Sequence, residues 1–352
     1  MHRKYLIPFL LTLMLVSIPS YLRSEQNLDT EPQKIEQTGA IATNFSDNPR
    51  FAQPIDCTLG EDCFILLYPD RDPGPQAVDF GCGRQTYDGH KGTDFGIADE
   101  VTMAQGVNVL AAAPGTVLRA RDGVGDRRIT DLEQREQVEG IECGNGLVID
   151  HGGGWETQYC HLRQGSLAVE SGTEVKTGTV LGQVGTSGAA SFPHVHLSVR
   201  YNGEVVDPFV GPDAGSGCQV DREPIWAESW EYTPTGPIRA GFSVQGPTMD
   251  DLWDGKFRET TFSEQVPALL FWVQTYGVLA GDVGHFKLTG PDGKVYAEHE
   301  QAIEQPSKTW MGYVGKRNTE ERPILPGVWR GEYRLSRGDR TLFEMNREVE
   351  VR

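Results

Sequence analysis

Apolar residues in this chain come in short runs broken by glycine, many with the period of two expected of a half-buried strand. Between residues 55 and 221 the runs are "NVLAAAPGTVLRA", "NGLVIDHGGGWETQYCHL", "TVLGQVG" and "HVHLSVRYNGEVVDPF". The second predicts two strands joined by a glycine-rich turn. "RARDGVGDRRITDLEQREQVEGIECGNG" breaks the pattern; it is charged and partly helix-prone, and reads as an inserted surface excursion. Residues 222–236 read as a linker. From 237 to 352 the runs return as "IRAGFSV", "ALLFWVQTYGV", "HFKLTGPDGKVYAEHE", "TWMGYVG" and "VWRGEYRLSRGDRTLFEMNREVEV". "GPDGK" and "SRGDR" are hairpin-type turns. The expectation is a mainly β chain: a β-rich domain over 55–221, then an Ig-like β-sandwich over 237–352. Alternation in "VWRGEYRL" assigns Trp329 and Tyr333 to a core. Trp272, Tyr276 and Trp310 are read the same way, in preference to a carbohydrate-binding platform.

The first residues, "MHRKYLIPFLLTLMLVSIPSYLRSEQ", set a basic start before an apolar run shorter than a bilayer span. That is the form of a signal peptide, expected over residues 1–24. Residues 25–54 are polar and without apolar periodicity, and read as a flexible lead-in. The formal net charge of -18 argues against nucleic acid and against anionic lipid as partners. Six cysteines, an even number, suit disulfides in an exported protein. Cys57 and Cys63 can close a small loop, and Cys143 and Cys160 flank the "HGGG" hairpin. That pairing leaves Cys82 with Cys218, one of about fifteen possible connectivities. No CxxC spacing supports a zinc-thiolate site.

Chemistry concentrates in the histidines. Five of eight lie between residues 90 and 196. In "SFPHVHLSVR", His194 and His196 are two apart in a strand-like run, so both imidazoles face one side. In "DGHKGTDFG", His90 and Asp94 are four apart. The glycines oppose a helix, so a turn entering a strand is expected to bring the two together. Two histidines and one aspartate would make a three-ligand zinc site with the fourth position open for water. His161 of "YCHL" adds a polar group from another strand. His151, beside "GGG", reads as a turn residue, and His285 and His299 as structural or exposed.

Together these segments resemble the lysostaphin/LytM-type peptidoglycan metallopeptidases, the M23 family. The matching stretches are "HKGTDFG", "VLAAAPGTV", "GNGLVIDHGGGWETQYCHL", "VKTGTVLGQVGTSG", "PHVHLSVR" and "NGEVVDPF". The resemblance implies a compact antiparallel β-sheet with an open groove over 55–221. It implies zinc held by His90, Asp94 and His196, with His161 and His194 catalytic. The implied substrate is the peptide part of peptidoglycan. The signal-peptide form and the even cysteine count set the expectation of an exported protein, periplasmic or secreted, monomeric and not inserted in a membrane after signal cleavage. Two departures stand out. "SFPH" replaces the family's frequent "TGPH", which puts Phe192 where it can narrow the groove or offer a stacking surface. Ser198 stands where the family often has Glu. The alternative reading is a silent or latent relative that binds cell wall or activates another hydrolase. A third is a zinc hydrolase acting on another protein or peptide. All five motif residues are present, which favours an active enzyme.

Overall fold

The computed structural model describes residues 49–352. The signal-peptide reading of 1–24 and most of the 25–54 lead-in lie outside the described residues. The N-terminal strands are β1 (Cys63–Leu67), β2 (Thr93–Ile97), β3 (Asn108–Leu110), β4 (Gly115–Arg121) and β5 (Asn145–Gly152). They are followed by β6 (Trp155–Leu162), β7 (Glu174–Val175), β8 (Val180–Gln183), β9 (His194–Tyr201) and β10 (Glu204–Val206). Eight of these ten form one sheet in the order β1-β2-β9-β6-β5-β4-β7, with β10 on β9. Their pairings are antiparallel. Two short helices, α1 (Glu100–Gln105) and α2 (Leu132–Glu136), lie between strands. The second sits inside the charged excursion, capped by Asp131 accepting from the Gln134 amide.

The C-terminal half holds β11 (Gly236–Ser243), α3 (Met249–Trp253), β12 (Thr261–Phe262), β13 (Ala268–Val278) and β14 (Asp282–Thr289). It continues with β15 (Val295–Ala302), β16 (Ser307–Arg317), β17 (Gly327–Arg337) and β18 (Arg340–Val351). A three-stranded sheet β11-β13-β16 faces a five-stranded sheet β12-β18-β17-β14-β15. The core between them takes Phe242, Phe271 and Val273 from the first and Phe286, Trp329, Tyr333 and Leu335 from the second. The alternation of "VWRGEYRL" is real: Trp329, Tyr333 and Leu335 are buried while Arg330 and Arg334 are exposed. Trp272 and Tyr276 are buried as well, so these aromatics are packing groups.

Packing continues between the two halves. Strand β1 reads "CFILL", an unbroken apolar run, as expected of a strand covered on both faces. Cys63 and Ile65 enter the N-terminal core. Phe64 and Leu66 join Phe192, Trp253 and Tyr276 in a separate apolar cluster. Phe64 stacks on Tyr276 with ring centroids 5.3 Å apart. Residues 222–236 are not bare chain: Ile225 and Trp226 are buried, and Trp226 bridges to Phe51. Isolated aromatics among polar residues carry no period, so neither segment announced its packing. Three disulfides, Cys57–Cys63, Cys82–Cys218 and Cys143–Cys160, leave no free cysteine.

Ion pairs finish the junction. Asp99 is fully buried, caps α1 through the Thr102 amide, and pairs with both Arg239 and Arg258. Arg128, from the charged excursion, pairs with Glu100, Asp250 and Asp254. Removing one member of a buried pair leaves the other charge uncompensated. Asp99→Ala is therefore expected to lower unfolding free energy by about 3 to 5 kcal/mol, read from urea unfolding. A loss under about 1 kcal/mol, the size of a helix cap alone, would show that the arginines draw little from it.

Candidate active site

Strand β9 sits between β2 and β6, and its residues divide by parity. Val195, Leu197 and Val199 enter the core, and His194, His196 and Ser198 take the other face. The register sets Asp94 opposite His196 and Gly96 opposite His194. Residues directly opposite in an antiparallel pair share a face, so Asp94 meets the histidines. His90 reaches the same place from the loop before β2. Gly92 lies between His90 and Asp94, where a Cβ would collide with the His196 ring and the Leu197 carbonyl.

Three donor atoms converge. His90 Nε2 is 3.2 Å from Asp94 Oδ1 and 3.2 Å from His196 Nδ1, and His196 Nδ1 is 2.8 Å from Asp94 Oδ1. Each outward nitrogen is tied down. His90 Nδ1–H donates to the Tyr68 carbonyl at 2.7 Å, which leaves the Nε2 lone pair facing the cluster. His196 Nε2 is 3.0 Å from the Ser198 hydroxyl. Such outer contacts fix ring orientation in metal sites. Cys57, Asp62 and Cys63 also lie close together, but both sulfurs are in a disulfide and offer no thiolate.

Charge follows the geometry. Burial would push the Asp94 carboxyl up, but His90, His194 and His196 outweigh it and hold it well below the usual range. Burial would push His90 down, but Asp94 outweighs that, and its pKa is raised. His161 is held well below an ordinary histidine by burial and by the neighbouring His194 and His196. Burial also lowers His194.

His161 needs a backbone irregularity. Tyr159 pairs with Leu197 and faces the core, and Cys160 pairs with His196 on the site face. Regular alternation would turn His161 back to the core. The β5–β6 register slips between Asn145 and Leu147, and His161 takes φ 64°, a rare value for a residue with a side chain. Its amide bonds the Cys143 carbonyl at 2.8 Å, next to the Cys143–Cys160 disulfide. Gly146 lies inside the slip, where a Cβ would strike the Tyr159 carbonyl. The His161 ring thereby comes within 4.6 Å of His194 and 6.0 Å of His196, centroid to centroid.

His161 and His194 share one device. His161 Nδ1–H donates to the Ser187 carbonyl at 2.8 Å, and His194 Nδ1–H donates to the Phe192 carbonyl at 2.7 Å. Both rings therefore keep Nε2 as the acceptor nitrogen. Phe192 stacks on His194 at 4.1 Å and contacts Trp253 of α3 at 5.6 Å. Its ring supports the imidazole and links it to the C-terminal half. His151 is elsewhere, bridging the Pro114 carbonyl and the Thr157 hydroxyl. Sequence reasoning passed over Tyr87, whose ring is 4.5 Å from that of His90; an exposed aromatic three residues before a histidine carries no period.

Known proteins share this segment. Residues 88–208 match the model of peptidase family M23. The DD-carboxypeptidase/endopeptidase Mpg of Neisseria meningitidis is 42% identical over 65 residues, 18% of this chain and 14% of that protein. The cell division protein DipM of Caulobacter vibrioides is 31% identical over 115 residues, 33% of this chain and 17% of that one. This chain thus spans between 14% and 17% of the length of these two curated relatives. Among solved structures, the catalytic domain of the M23 protein EnpA from Enterococcus faecalis aligns at 23% identity. It covers 46% of this chain and 93% of that one, with a TM-score of 0.29.

Ser198→Ala removes the contact on His196 Nε2 and leaves every donor atom in place. It is expected to weaken metal retention about tenfold, measured by competition with a chelator, the low end for an outer-shell loss. Unchanged affinity would mean that the strand alone orients His196. The converging histidine and aspartate atoms lie within the matched segment, and residues 88–208 of this chain form a domain of peptidase family M23, a family of metallopeptidases.

Proposed function

We propose that this protein is a zinc-dependent endopeptidase that hydrolyses peptide bonds in peptidoglycan. The carrying observation is the convergence of His90 Nε2, Asp94 Oδ1 and His196 Nδ1 beside two further histidines whose Nδ1–H groups are fixed on backbone carbonyls. Two imidazoles and one carboxylate are a donor set suited to zinc and leave room for a further ligand. The fit rests on the lone pairs: the Tyr68 carbonyl occupies the outer His90 nitrogen, so three acceptor atoms crowd together and a cation would relieve them. When bound there, zinc would polarise the scissile carbonyl and lower the pKa of the attacking water.

The remaining work falls to side chains. His194, with Nε2 3.7 Å from Asp94 Oδ1, takes the water proton at Nε2 and passes it to the leaving amine nitrogen as the C–N bond breaks. His161, held neutral with its Nδ1–H on the Ser187 carbonyl, accepts a hydrogen bond from the same water at Nε2 and so orients it for attack. Phe192, stacked on His194, supports that ring. DD-endopeptidase and carboxypeptidase names among the matched relatives support a peptidoglycan substrate. A silent wall-binding role has less support, because none of the five site residues is missing. Export agrees with three disulfides, which persist in oxidising compartments. No helix among the described residues is long and apolar enough to cross a membrane.

Digestion of purified sacculi, followed by mass spectrometry of the products, tests the reading. Chelator-sensitive release of peptides or monomeric muropeptides is expected, and no release from folded, zinc-loaded protein would reject it. Single variants test the roles. His90→Ala and His196→Ala should lose zinc and activity together. His194→Ala should keep zinc and lose about 10²- to 10⁴-fold in rate, the contribution of a positioned proton-transfer group. If His194→Ala lost zinc and His196→Ala kept it, the two roles would be reversed.

A further inference from the structure

Beside the His90 loop, the N-terminal half and the edge of β16 enclose a cleft of about 530 Å³. Its lining includes Arg84, Thr86, Tyr87 and Asp88 from one side and Ser307 and Lys308 from the other. We propose that this cleft is a subsite for a carboxylate of the peptide substrate, held by Arg84 and Lys308. The proposal rests on the peptidoglycan reading above and adds to it a charge preference and a location.

Two cations face one cleft in a chain whose formal net charge is -18. Among the described residues neither Arg84 nor Lys308 has a carboxylate within ion-pairing distance, and Asp88, the acid of the lining, pairs with neither. Elsewhere at this junction arginines are matched: Arg128 meets three carboxylates, and Arg239 and Arg258 share Asp99. Burial and the charge of Arg84 both depress Lys308, so the pair is mutually unfavourable as it stands. An anion between them would relieve that repulsion, and a guanidinium fork matches a carboxylate in shape. Thr86 adds a polar group in need of a partner, because its hydroxyl is buried with none among the described residues.

The cleft opens beside the site already described. Lys308 Nζ lies 5.8 Å from the Tyr87 ring centroid, and that ring is 4.5 Å from His90. One aromatic side chain therefore separates cation from metal ligand. The path from His90 to Lys308 is at most about 10 Å, about three residues of extended peptide. The carboxylate would sit within that reach of the scissile bond. Tyr87 would form the floor between the two places, flat enough for a peptide backbone to lie on.

The test uses the full chain, with chelator added to prevent turnover, in a calorimetric titration. The probes are a peptidoglycan stem tetrapeptide with free carboxylates and the same peptide with those carboxylates amidated. The unmodified chain should bind the free acid about tenfold more tightly than the amide, as expected for one hydrogen-bonded charge pair. Lys308→Met and Arg84→Gln, both at exposed positions, should lose most of that preference while binding the amide unchanged. Equal binding of both peptides, preference retained in both variants, or no binding of either peptide would overturn the subsite. Sacculus digestion judges hydrolysis separately, so a chain that digests sacculi without charge preference loses the subsite alone.

Discussion

A period of two along β9 obliges one strand to serve two opposed environments across a single backbone. Val195, Leu197 and Val199 are sealed in the core, and one residue out of step on either side are His194, His196 and Ser198. A slip of one residue would bury the imidazoles and expose the valines, so the apolar face fixes the register of the polar one. Strand β2 then delivers Asp94 opposite His196 without any further instruction. The site is in this sense a by-product of correct core packing. That is why its donor atoms stand within 3.2 Å of one another although they repel or compete for protons.

The same constraint explains how the surrounding carbonyls act. Tyr68, Ser187 and Phe192 each offer a backbone oxygen to an imidazole Nδ1–H. Backbone oxygens belong to the scaffold, so the three rings inherit its rigidity at no cost in side-chain freedom. Preorganisation of this kind is how an active site keeps its groups aimed before substrate arrives. Ser198 follows the same logic from two residues along the strand. A short hydroxyl reaches His196 Nε2 where a longer acid is common in the family.

Legibility varied with how local each cause was. "HVH" and "HKGTD" announced the donor set because strand parity and glycine are local properties. The strand content and the inward aromatics of "VWRGEYRL" were readable for the same reason. His161 is legible as a polar group on a neighbouring strand and takes its role from the resemblance, but its route to the site is not readable: parity alone points it at the core, and the slip at Gly146 reverses that. Phe192 stands out in "SFPH", yet its partner Trp253 lies 61 residues further on, with no pattern joining them. Arg84 and Lys308 are separated further still, and neither belongs to a motif. The buried Ile225 and Trp226 look like linker in the sequence because short irregular segments have no period to betray them.

Phe192 touches both halves of the molecule at once, with His194 on one side and Trp253 on the other. That contact bears on inheritance. Domains joined by flexible chain can be exchanged between proteins as cassettes, because nothing in one depends on the residues of the other. Here a residue of the histidine motif is completed by a tryptophan of the C-terminal half. A foreign partner would leave Phe64, Leu66 and Phe192 uncovered, and the ring stacked on His194 without its backing. Changes at positions 192 and 253 would therefore have to be selected together, and the two halves would descend as one unit.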